Sequence, residues 1–196
     1  MKVFQSVLTV WLLATDTLGQ EQQNEQNLRK LRPSRIVGGV VVTDPSKYPY
    51  IVLGDGCGGS LIAPDVVLSA AHCAGAFDGN VRVGSIFSSS GGQEVDTLKS
   101  EEVLHPNYDD FTFENDIMLV KLQEEVDFET VPLNFDTSNP AVDSNAVLTV
   151  IGFGARQEFG NLSKKLREVD VNYVNPDLCN SQLQGTVFDD IMLCAG

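Results

Sequence analysis

The chain has 196 residues, of which 42% are hydrophobic and 20% charged, and a formal net charge of −14. That length holds one large all-β unit or two small domains, and that apolar content excludes wholesale disorder. Over residues 36–196, eight Lys and Arg face 24 Asp and Glu, a net charge of −16. Such a surface repels nucleic acid and anionic lipid at low salt, so neither is expected as a partner.

Residues 1–19 have the form of a secretory signal peptide. Lys2 supplies the positive start, and Thr17-Leu18-Gly19 puts small residues at both positions a signal peptidase prefers. Between them, 3–14 form an apolar run of about a dozen residues, too short to span a bilayer. No other apolar run is long enough for a membrane helix, so the protein is expected to be secreted, with no membrane partner. Residues 20–35 are polar, rich in Gln and Asn, and end basic. They carry no hydrophobic period and read as a disordered propeptide.

From Ile36 onward, short apolar runs alternate with turn clusters, the pattern of an all-β barrel or sandwich. Strands are expected at 40–42, 59–63, 66–70, 81–83, 101–104 and 117–122. Turns are expected at 44–45, 63–65, 77–80 and 88–92. The second half repeats the style, with strands at 147–151, 167–171 and 191–194 and turns at 136–140 and 158–161. One short helix is expected at 176–181, with Asn175 as its cap and Pro176 at its first position. Asn161-Leu162-Ser163 is an N-glycosylation acceptor in a turn context.

The four cysteines are an even number in a chain expected outside the cell, so two disulfides are expected. Sequence alone allows three pairings. The local one, Cys57 with Cys73 and Cys179 with Cys194, closes a short loop in each half of the chain. Zinc would want Cys or Cys/His pairs at tight spacing, and none exists, so no metal site is expected. Glu94 and Asp96 read as part of a solvated acidic loop rather than a calcium site.

His72 follows the apolar run 66–71 and precedes Cys73. It is expected to be partly buried and rigidly held. On its own it reads as a hydrogen-bonded core histidine. Asp116 opens the apolar run 117–120, where a carboxylate is costly unless paired. A histidine N–H is a natural partner. An Asp-oriented histidine is the base half of a Ser-His-Asp triad, in which the carboxylate fixes the tautomer and stabilises the imidazolium. His105 precedes a proline in an expected loop and reads as structural or exposed.

Order and context carry more than either residue. The chain contains Arg35-Ile36-Val37-Gly38-Gly39, then Cys57-Gly58-Gly59-Ser60-Leu61-Ile62, then Leu68-Ser69-Ala70-Ala71-His72-Cys73. There follow Val103-Leu104-His105-Pro106-Asn107-Tyr108, Asn115-Asp116-Ile117-Met118-Leu119, Gly152-Phe153-Gly154 and Met192-Leu193-Cys194-Ala195-Gly196. This ordered set resembles the trypsin/chymotrypsin-like serine proteases from Arg35 to the last residue. Gly152-Phe153-Gly154 stands where that family usually has Gly-Trp-Gly.

The resemblance implies an all-β fold of two six-stranded antiparallel β-barrels of the chymotrypsin type, the second incomplete. The first would span 36–130 and the partial second 131–196. It implies a secreted zymogen cleaved between Arg35 and Ile36, with His72 as general base and Asp116 as its orienter. No cofactor is implied. Protein or peptide substrates and protease inhibitors are the implied partners.

The family's Gly-Asp-Ser-Gly-Gly nucleophile run occurs nowhere in these residues. Ser60, Ser69 and Ser181 do not sit in strained Gly-flanked turns and make poor substitutes. The sequence is therefore expected to be an incomplete copy of a serine endopeptidase, inactive as it stands. The alternative is a non-catalytic homologue acting as a binding or inhibitory module.

Overall fold

Each apolar run is too short to bury both faces of a helix, and the turn residues between runs favour antiparallel return. The computed structural model follows that logic. It describes residues 36, 38–135, 145–157, 160–183 and 191–196, with backbone alone at 98–100. The expected signal peptide and propeptide, Arg35, the turn at 136–140, and Glu158 and Phe159 lie outside the described residues.

The strands are β1 (Val40–Val41), β2 (Ile51–Leu53), β3 (Gly58–Ala63), β4 (Val66–Ser69), β5 (Gly79–Val83), β6 (Gln93–Leu104) and β7 (Met118–Leu122). They continue with β8 (Val147–Gly152), β9 (Arg167–Val174), the helix α1 (Pro176–Gln182) and β10 (Cys194–Ala195). Six of them close a barrel in the order β2-β3-β4-β7-β6-β5, with β2 and β5 paired to complete it. Closure leaves this barrel no free edge. β7 shows the alternation behind it: Met118, Val120 and Leu122 face inward and are no more than 2% exposed, while Leu119 and Lys121 face out. With Val52, Leu61, Val67, Phe77, Val81, Val83 and Val95 they form one core.

The remaining strands form a four-stranded antiparallel sheet built on β9. β8 runs along most of β9, while β1 and β10 pair with its two ends. A smaller cluster of Val42, Ile51 and Leu166, flanked by Tyr48, Ile86, Ile151 and Phe153, joins this sheet to the barrel. The fold is thus mostly β, one closed six-stranded antiparallel barrel and a second sheet. Among the described residues, no helix is long and apolar enough to cross a membrane.

Several local expectations need correction. Ile51–Leu53 is a strand that turn patterning passes over, because three residues show no alternation. Gly79 and Asn80 belong to β5 rather than to a turn, paired with Thr97 and Asp96. The strand expected at 101–104 is the end of a twelve-residue β6. In place of a strand at 191–194, only Cys194 and Ala195 pair, with Val174 and Tyr173. The helix starts as its cap demands: Asn175 accepts a hydrogen bond from the Asp177 amide at 2.9 Å, with Pro176 inside the first turn.

Candidate active site

The pairing of β4 with β7 assembles the site. Ser69, the last residue of β4, lies opposite Met118, the first of β7. Chains leaving this end of the two strands reach His72 three residues after Ser69 and Asp116 two residues before Met118. Two residues 44 positions apart are thus delivered to one end of the barrel.

Past β4 the chain makes one 3-10 turn, Ala71–Cys73. Ala71 and Cys73 point into the core at 1% and 6% exposure, so the residue between them points out. His72 is therefore exposed, with 51% of its side chain open, and is not a core histidine. The disulfide between Cys57 and Cys73 ties this turn to the start of β3, and a second joins Cys179 to Cys194. Both are the local pairings.

Asp116 grips His72 twice. One carboxylate oxygen accepts from the His72 backbone amide at 2.8 Å, and the other lies 2.6 Å from Nδ1. An ionised carboxylate only accepts, so the geometry assigns the ring proton to Nδ1 and leaves the Nε2 lone pair as the free base. The backbone contact fixes the carboxylate, and the carboxylate fixes the ring.

The loop before Asp116 is internally braced. Asp109 accepts from the amides of Thr112 and Phe111 at 2.8 and 2.9 Å, which hold its carboxyl below the usual range. Tyr108 packs on the barrel core; burial pushes its hydroxyl pKa up, helped by the charges of Asp116, Asp110 and Asp109. The rings of Phe113 and His72 form a T-shaped pair, with centroids 6.0 Å apart and planes at 85°.

Other candidates fall elsewhere. Ile36 is 3% exposed, and its nitrogen donates to the Ala155 carbonyl at 2.8 Å. His105 is half-buried and accepts from the Asn107 amide at 3.3 Å, a loop contact. Ser69 is buried and donates to the Gly58 carbonyl at 2.9 Å; Ser181 donates to Leu178 within α1. Ser60 lies mid-strand in β3. Cys57, His72 and Cys73 place possible ligand atoms within 4.8 Å of one another, but the disulfide consumes both sulfurs and leaves no thiolate. Glu94 is engaged by Arg82. Asn161 is exposed.

Sequence reasoning did not single out Phe113 or the Ala155 carbonyl. A carbonyl has no side-chain signature. Phe113 could have been suspected only as an aromatic in a polar loop three residues before Asp116.

The family model Trypsin matches residues 36–196. Bovine coagulation factor XII is 34% identical over 87% of this chain, which spans only 31% of that protein. Alkaline trypsin C of Manduca sexta is 35% identical over 84% of this chain and 70% of its own length. Chymase of the dog is 35% identical over 71% of this chain and 56% of its own length. The solved structure described as Structure of GrC superposes with a TM-score of 0.70 at 29% identity, covering 82% of this chain and 75% of that one. The chain belongs to the trypsin-like serine protease family.

Proposed function

We propose that this protein is a serine-type endopeptidase, secreted as a zymogen and cleaved after Arg35, that hydrolyses peptide bonds in protein substrates. The observation that carries this reading is the double grip of Asp116 on His72, which leaves Nε2 as an oriented base. In the chemistry we propose, Nε2 takes the proton of a serine hydroxyl as its oxygen attacks the scissile carbonyl. The imidazolium is stabilised by Asp116 and passes the proton to the leaving amine. Water then repeats the sequence on the acyl-enzyme and frees the serine.

Zymogen activation has separate support. Ile36 is already buried with its nitrogen on the Ala155 carbonyl, so an α-ammonium freed there would keep one acceptor. Protease inhibitors are the expected competitors for the site. Asn161, exposed and two residues before Ser163, is the proposed glycan site.

No Gly-Asp-Ser-Gly-Gly run occurs in these 196 residues, so the catalytic reading requires a nucleophile beyond them. The second reading is a non-catalytic homologue acting as a binding or inhibitory module. A fluorophosphonate probe separates the two. Labelling of the secreted product of the full transcript, after cleavage at Arg35, supports catalysis. His72→Ala should then lower turnover about a million-fold. An unlabelled product supports the binding module. The 36–196 polypeptide alone should not label, and labelling would overturn the absence of a nucleophile.

A further inference from the structure

Phe113 has a backbone φ of 60°, in the left-handed region that bulky residues rarely adopt. It is no core residue, being 36% exposed. Such strain persists only where its surroundings impose it, and here they do. Its amide donates to the Asp109 carbonyl at 2.9 Å, and the Asp109 amide donates to the Glu114 carbonyl at 3.1 Å. The Asn115 side chain donates to the Asn107 carbonyl at 3.0 Å. What this braced loop presents is the Phe113 ring, T-shaped against the imidazole of His72.

We propose that Phe113 is a positioning residue for His72, holding the imidazole on Asp116. This rests on reading His72 as the base of the site. The bond to Asp116 fixes Nδ1, yet half of the His72 side chain is open to solvent and could swing outward about its Cα–Cβ bond. The Phe113 ring, at the separation of an edge-to-face aromatic pair, makes that outward rotamer less populated.

The test is the low-field proton resonance of His72 Nδ1–H in the 196-residue chain, read as its exchange rate with water. Phe113→Gly deletes the ring and suits the positive φ, so the loop need not refold. Exchange should speed about two- to tenfold, the population shift an edge-to-face pair accounts for. Phe113→Tyr should stay within about twofold of the parent chain, since the aromatic ring is kept. An unchanged rate in Phe113→Gly, or no low-field resonance in the parent, overturns the proposal. Should Phe113→Gly lose the methyl spectrum of the barrel, Phe113→Leu replaces it under the same criteria. This readout needs no turnover. A normal response with no probe labelling of the transcript product would overturn the catalytic reading alone.

Discussion

β7 and β8 are built from similar residues and end differently. Met118-Leu119-Val120-Lys121-Leu122 alternates cleanly, and its three inward side chains are all but sealed. Val147-Leu148-Thr149-Val150-Ile151-Gly152 has no buried residue, and Val147 and Val150 are 61% and 43% exposed. β7 is paired on both sides within a closed barrel, whereas among the described residues β8 pairs with β9 along one side. Closure, not composition, separates them. The difference matters for the site, because His72 and Asp116 both ride on the closed region, at the end where β4 meets β7.

The strongest way to break this contrast is Phe77→Ala. Phe77 is fully buried in the barrel, and its carbonyl accepts from the Thr97 hydroxyl. Truncation should destabilise the chain by about 3–5 kcal/mol, through lost transfer and a residual cavity. The urea midpoint should fall with little change in slope. A loss under about 1 kcal/mol would mean that the barrel does not dominate the cooperative unit.

Much of this region was legible in advance because its signals are local. The turn at Ala63-Pro64-Asp65 separates β3 from β4, and alternation marks β7. The pairing of His72 with Asp116 needed the ordered motifs, since a separation of 44 positions carries no record of distance. The exposure of His72 is not legible, because an apolar run before a residue does not say which way a single 3-10 turn will aim it. Ile51–Leu53 was invisible for want of length, and the Ala155 carbonyl for want of a side chain. Phe113 was hidden by its backbone: a positive φ at an aromatic follows from loop bonds, not from propensity.

A middle-sized effect tests how the second sheet holds its first strand. β1 meets β9 at Glu168 and Arg167. Glu168 is gripped by Lys47, whose nitrogen reaches its two oxygens at 2.6 and 2.8 Å, and it accepts from the Tyr48 hydroxyl. These bonds hold the Glu168 carboxyl below its ordinary 4.5 and raise Lys47 above its ordinary 10.5. The signs follow. Glu168 contributes stability fully above 4.5 and loses it as pH falls through the lowered folded value. Lys47 contributes fully below 10.5 and loses it as pH rises through the raised one. Amide protection at β1 and the facing end of β9 should therefore fall below pH 4.5, while the barrel amides hold. Glu168→Gln should flatten that acid dependence at the β1–β9 pairing and leave the barrel unchanged. Parallel loss in both regions would mean that they do not open separately.

The smallest expected effect is at Val150, across from Val169 in the β8–β9 pairing. With 43% of the residue exposed, Val150→Ala removes little buried surface, and stability should change by about 0.5 kcal/mol or less. The smallness is what makes the variant informative. Full burial of the two methylene equivalents it deletes would be worth about 1.5 kcal/mol. A loss of that size would show that the outer face of β8 is covered in solution, and the contrast with β7 would then be one of partner rather than of closure. A shift near zero would keep the contrast as drawn, with the barrel sealed by its own strands and β8 open on the face that Val150 presents.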